Sequence, residues 1–466
     1  MTESEPDRHP RDRLVRDLRL RDATLLVVSG VIGSGIFLTP GAIADLLPHP
    51  GAIFAAWLVG GLLSLAGALA NAELGAMYPR AGGDYVYLRE VFHPAAGFLV
   101  GWLSFFVIYA GTIATLAAGF AAGLAAFVPM GKGAELGVAV GLILAVSALN
   151  YAGVRWGALA NNVTAVLKIA ALLAVGLVPL FVGGGDVGNL RPLVSGAGTL
   201  TLSAFALALS PVLFSYLGWN ASVYVASEIR NPQRDLPRSL FLGLALCGGL
   251  YLLVNAVYLY ALPMAELQAA GDAGHAAALA LFGPVGGTLV AGFVLISVLG
   301  TLNATVLVGP RIAYAMALDG LFPGGVDRVT RAFSTPGVAI GVQTVVTVGL
   351  LVVLQRFPAA LNFTVFAILL ATMADVVALY LLRLRRPDHP RPYRAWGYPW
   401  VPAFYILANG GIAVAMLIGQ PRECLISIVL LASGLPFYWL FSRLSGPGAG
   451  GVSGPGEATE DATGTG

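Results

Sequence analysis

The chain has 466 residues, 57% of them hydrophobic and 11% charged, with a formal net charge of +2. Soluble domains carry roughly 25% charged residues, so this composition excludes one and predicts an all-α polytopic membrane protein. A net charge this small is no nucleic-acid signature, and no nucleic-acid partner is expected.

Residues 1–22 form a charged arm, TESEPDRHPRDRLVRDLRLRD after the initial Met. It is expected to be solvated and partly disordered, the alternative being an arm lying on the membrane surface. A bilayer crossing by a helix takes about 20 apolar residues. Scanning at that width predicts twelve transmembrane helices within 23–442, at 23–46, 51–78, 94–127, 134–152, 156–182, 198–226, 237–262, 280–317, 336–355, 358–382, 400–419 and 423–442. These are called segments one to twelve below. Segments three and eight are long, which calls for tilt or an added turn. His93-Pro94 reads as a helix start. The first apolar run is too long for the core of a cleavable signal. The tail within 443–466, rich in Gly, Ser and Pro, is expected to be disordered.

Basic residues divide between the two sides. With the N-terminus inside, twenty-one Arg fall on the cytoplasmic side, among them Arg8, Arg80, Arg155, Arg230, Arg311, Arg383 and Arg391. Lys132, Arg191, Arg356 and Arg422 fall outside. The asymmetry predicts an even number of spans in the inner (plasma) membrane, with both termini cytoplasmic. Cys247 and Cys424 lie in apolar runs and give no disulfide framework.

Segment one is interrupted near its middle by Gly30-Val31-Ile32-Gly33-Ser34-Gly35. Backbone groups freed at membrane depth are tolerated only where protein buries them or a cavity meets them. Segment six is interrupted in the same way by Ser210-Pro211-Val212-Leu213-Phe214-Ser215-Tyr216-Leu217-Gly218-Trp219-Asn220. For either break alone, close helix packing through small residues is a sufficient account. Matched breaks in segments one and six suggest instead a binding site between two five-helix halves of inverted topology, about 23–182 and 198–382, followed by two extra helices over 400–442.

The half-helix after Ser34 and Gly35 would point backbone N–H groups and the positive end of its dipole into the cavity, where they suit a carboxylate. The unwound run Phe214, Ser215, Leu217 and Gly218, with Val31 and Ile32, frees carbonyls that suit an ammonium group. Donors on one helix and acceptors on another fit a zwitterion, and free α-amino acids are the evident candidates.

Lys168 is the basic residue placed deep in a segment, near the middle of 156–182. A buried ammonium costs about 2.5–3.5 kcal/mol even on lenient insertion scales, and its position disfavours snorkelling, so it is a functional candidate. Glu73 and Glu228 read as partners for arginines at an inner gate. Asp375 could relay a proton or bond neighbouring backbone, the structural role being favoured. Asn161, Asn162 and Asn303 read as interhelical anchors, with Asn303 also able to line a pocket. No His, Cys or acidic cluster has metal-ligand spacing; no metal, cofactor or catalytic residue is expected.

The runs GVIGSGIFLTPGAI (30–43), AELGAMYPRAGGDYVYLRE (72–90), NNVTAVLK (161–168), FSYLGWNASVYVASEIRNPQRDLP (214–237) and GPRIAYAMALDGLFP (309–323) resemble the amino acid-polyamine-organocation superfamily. They are most similar to its L-type branch, which includes bacterial amino acid permeases and the light chains of heteromeric amino acid transporters. The resemblance runs from about residue 20 to 440 and implies a leucine-transporter-like fold. It implies that Ser34 and Gly35 meet the substrate carboxylate and the carbonyls of Val31, Phe214 and Leu217 its amino group. Phe214 would act as a lid, and Asn220 would shape specificity. Lys168 would stand where sodium-coupled relatives hold sodium and would bridge the backbones of helices one and eight, implying sodium-independent transport. The loop after segment three, VPMGKGAEL, has no cysteine, so no covalent heavy-chain subunit is expected.

The reading at this stage is a transporter for neutral amino acids, working as an exchanger or a proton symporter. An amino acid sensor on the same fold, or a carrier of cationic amino acids or polyamines, remains open. Acidic residues, which a polyamine or arginine carrier would favour, are absent from both breaks.

Overall fold

The structure is a computed structural model that describes residues 9–193, 200–354 and 360–444, with side chains left out of account over 353–364. The expected disordered tail therefore lies almost wholly outside the described residues, as do Arg8 and Arg356. Among the described residues the regular elements are helices, and the β pairing is one isolated bridge between Leu18 and Ile229.

Among the described residues, ten helical segments are long and apolar enough to cross a membrane. They are Leu20–Leu38, Pro50–Met77, Pro94–Ala125, Lys132–Tyr151, Val154–Val182, Pro232–Ala261, Ala273–Leu318, Val365–Arg385, Trp400–Gly419 and Pro421–Leu444. Two shorter apolar helices, Leu202–Tyr216 and Gly337–Val352, fall on segments six and nine. Helix is the form that satisfies every backbone group within one segment when no water is at hand. Proline at the first helical turn starts several of them, at Pro50, Pro94, Pro232 and Pro421. At Pro94 the His93 ring accepts a hydrogen bond from the Ala95 N–H. Large apolar side chains such as Phe181, Leu202, Val285 and Val345 remain outward-facing, as a lipid-facing surface requires.

The length of segments three and eight has a local cause. Segment three contains a π-helical stretch, Leu103–Tyr109. Segment eight bends at Gly283, φ +67°, just before Pro284, and breaks again ahead of Pro310–Leu318. Segment one lies at the centre, packed against segments five, seven and eight.

The N-terminal arm differs from its expectation. From residue 9 onward it is docked against the arginine-rich face, with Leu14 and Leu18 buried. Tyr314 donates to Asp12 at 2.9 Å, Arg155 reaches Asp17 through two nitrogens at 2.9 and 3.1 Å, and Leu18 N–H donates to the Glu228 carbonyl at 2.9 Å. Two buried leucines and the Asp17 carboxylate supply what the arm's charge pattern alone conceals.

Candidate functional site

Both breaks are present. The helix Leu20–Val31 ends at Ile32, φ −75° and ψ 86°, and a four-residue helix, Gly35–Leu38, resumes after Ser34. In segment six, Leu202–Tyr216 ends at Leu217, ψ 149°, and Gly218 takes φ +92° before the chain resumes at Ala221–Tyr224. A left-handed residue here favours glycine because it has no Cβ to clash.

The two breaks touch. A Cβ on Gly218 would stand 2.7 Å from the Gly30 carbonyl oxygen, and one on Gly35 would stand 2.8 Å from the Ser215 Cα. Thr39 and Ser215 hydroxyls lie 3.0 Å apart, and Ser215 also donates to the Pro211 carbonyl at 3.0 Å, one turn back in its own helix. Around this contact is a cavity of about 570 Å³, within the range of small-molecule sites. Its wall includes Val31, Ser34, Gly35, Phe214, Ser215, Leu217, Gly218 and Asn220.

Ile32 is the exception among the sequence-predicted residues. It is fully buried, and its carbonyl accepts from Lys168 Nζ at 2.7 Å, Ser297 Oγ at 3.1 Å and Thr301 Oγ1 at 3.1 Å. That oxygen is committed to the scaffold and cannot hold a ligand.

Lys168 is also fully buried. Its ammonium meets the Ser29 carbonyl at 2.9 Å, the Ile32 carbonyl at 2.7 Å and Thr301 Oγ1 at 2.8 Å. Three donors meet three oxygens, so the charge is solvated by the protein. It bridges the backbone of segment one to a side chain of segment eight, whereas the resemblance implies a bridge between two backbones. Gly300 makes room for it, since a Cβ there would lie 2.7 Å from Lys168 Cε.

Several contributors escaped the sequence reading. The Tyr251 hydroxyl, in segment seven, lies 2.8 Å from both the Val31 and the Ser215 carbonyls and so joins the two breaks. Its ring packs edge-on against Trp57 and Tyr216 at centroid distances of 5.4 and 5.1 Å. Ser297 and Thr301 stand four apart on one face of segment eight, a spacing that could have marked them. The π-helical stretch brings Phe106 and Tyr109 to the cavity wall; such bulges occur often at functional sites. Asp84, in the GGDYVY run, lines the same wall.

Toward the arginine-rich face, Glu228 and Arg311 form a buried two-point ion pair at 2.7 and 3.1 Å. Glu73 binds Arg383 at 3.0 and 2.6 Å and receives the Ala395 N–H at 2.6 Å. Both glutamates are thus arginine partners, as their positions suggested. Asn303 donates to the Gly157 carbonyl at 3.0 Å and accepts from Asn150 at 2.9 Å. It is an interhelical anchor and does not line the cavity.

Residues 18–452 match the amino acid permease family. The chain belongs to this permease family. Among the permease's relatives is the serine/threonine exchanger SteT of Bacillus subtilis (strain 168), 30% identical over 91% of this chain and 97% of the relative. The b(0,+)-type amino acid transporter 1 of Mus musculus is 29% identical, covering 92% and 88%. The large neutral amino acids transporter small subunit 2 of Homo sapiens is 28% identical, covering 92% and 80%. The permease thus aligns with transporters along nearly its whole length, and among its described residues no group of three or more His, Cys, Asp or Glu could hold a metal ion.

Proposed function

We propose that this permease moves free neutral L-amino acids across the plasma membrane as a sodium-independent exchanger, by alternating access. The observation that carries the reading is the meeting of two broken helices on the wall of one cavity; the reading assigns the backbone N–H groups of Ser34 and Gly35 to the substrate carboxylate and the carbonyls of Val31, Phe214 and Leu217 to its ammonium group. Lys168 supports sodium independence because its ammonium supplies a fixed positive charge to the first break. The serine/threonine exchanger among the relatives supports exchange and small side chains. Twelve spans, two inverted five-helix repeats over 23–182 and 198–382, two added helices, and both termini in the cytoplasm complete the proposal. The docked arm and the Glu228–Arg311 and Glu73–Arg383 pairs would then close the cytoplasmic side. No covalent heavy chain belongs to this reading, as Cys247 and Cys424 are both buried.

Asp84 on the cavity wall favours a second reading, in which the substrate carries a cationic side chain. Uptake of labelled serine, threonine, leucine and lysine into liposomes containing the purified protein decides between them. The expected result is uptake of neutral substrates, stimulated by internal amino acid and unchanged when choline replaces sodium. Preferential lysine uptake would establish the second reading, and binding without accumulation would indicate a sensor.

A further inference from the structure

Beneath the cavity wall the structure places two carboxyl groups against each other. Asp84, 2% exposed and just before segment three, and Asp375, fully buried in segment ten, face one another within hydrogen-bonding reach. One oxygen of each is held: Tyr224 donates to Asp84 Oδ2 at 2.7 Å, and Asn71 Nδ2 donates to Asp375 Oδ2 at 3.3 Å. The Oδ1 atom of each is buried without a hydrogen-bond partner among the described residues. Ionised carboxylates can only accept, so each Oδ1 stays unpartnered until one of them carries a proton. The groups around the pair are Tyr224, Tyr87, Tyr109, Tyr405, Asn71 and Asn220, and no Lys or Arg forms an ion pair with either carboxylate among the described residues.

Two contacting carboxylates in a cation-free setting repel each other when both ionise, so one proton on the pair is favoured, and it belongs to the pair rather than to either residue. Burial pushes the Asp84 carboxyl above its usual range, against the pull of its Tyr224 hydrogen bond. The pair is also wired to the cavity. Asn220, on the wall, donates to the Tyr224 hydroxyl at 3.4 Å, and Tyr224 donates to Asp84.

We propose that Asp84 and Asp375 form a proton-binding site, sharing one proton between their carboxyl groups, and that the protonated pair is the form that binds substrate. The doubly ionised pair takes the proton from cavity water and returns it there. Losing it leaves a second negative charge beneath a cavity that must accept a carboxylate, so substrate affinity falls as pH rises through the pair's titration. The proton site stands on its own geometry; its link to substrate rests on the transport reading above.

Infrared difference spectroscopy on the purified full chain tests the site without any transport. A protonated-carboxyl band is expected in the unsubstituted protein and is lost in both Asp84→Asn and Asp375→Asn, where an amide N–H replaces the shared proton and the partner ionises. Absence of the band, or its survival in both variants, overturns the shared proton. Substrate affinity measured against pH tests the link. One linked proton changes affinity by at most about tenfold per pH unit, and the Asp375→Asn profile is expected to be flat. A pH dependence unchanged in Asp375→Asn overturns the link. Failed liposome uptake beside an intact band pattern would count against the transport reading alone.

Discussion

The two breaks are alike in outline and unlike in support. The first is pinned from behind: Lys168, Ser297 and Thr301 hold the Ser29, Ile32 and Gly33 carbonyls from two other helices. The second has no such cation among the described residues. Its shape rests on the left-handed Gly218, on Pro211, and on Tyr251, which it shares with the first. A break whose carbonyls are engaged by neighbouring helices is a fixed wall, and one held mainly by its own turns, Leu217 N–H to the Phe214 carbonyl and Ala221 N–H to the Gly218 carbonyl, has fewer outside contacts to break. Segment six is therefore the side of the site expected to move around a substrate held against segment one.

The largest effect that would test this contrast is Lys168→Ala. It leaves buried carbonyls short of a charged donor, at roughly 1–3 kcal/mol for each unsatisfied group. Uptake is expected to be lost while the protein still elutes as a monodisperse species, and near-normal kinetics would remove the pin from the mechanism. Next comes Gly218→Ala. The added Cβ requires both a strained φ and a 2.7 Å approach to the Gly30 carbonyl. Strain of this kind costs about 1–3 kcal/mol, so substrate affinity measured by thermal shift is expected to drop severalfold to a hundredfold; unchanged affinity would mean that the breaks do not need to touch. The smallest expected effect is from Tyr251→Phe, which deletes one hydroxyl at the junction and keeps the ring against Trp57 and Tyr216. About 1–1.5 kcal/mol, or roughly tenfold in affinity, is expected. If the turnover rate falls instead and affinity holds, the hydroxyl couples the movement of the two breaks rather than shaping the site.

The sequence by itself determined the class of protein, the places of the apolar segments and the two breaks. These follow from composition, from a helix's need for about 20 apolar residues per crossing, and from glycine and proline interrupting a run. It also marked Lys168, because a lone cation in an apolar helix is conspicuous, and it paired Glu73 and Glu228 with arginines. What it could not yield was the choice of oxygens and partners. Ile32 and Val31 are neighbours in one break, yet the Ile32 carbonyl goes to Lys168, Ser297 and Thr301 while that of Val31 goes to Tyr251 and the Gly33 N–H, and of the two residues Val31 lines the cavity. That difference arises from the rotation of segment one against segments five and eight. Tyr251, Thr301 and Asp375 lie far along the chain from the residues they serve. Asp375, for which the sequence leaves open a proton relay or a bond to neighbouring backbone and favours the structural role, meets the Asn71 side chain and the Asp84 carboxyl rather than backbone. An isolated Asp in an apolar helix carries no mark of its partner. Only packing decides which buried polar groups face each other, because hydrogen bonding is short-ranged and directional whereas the hydrophobic pattern that builds the helices is neither.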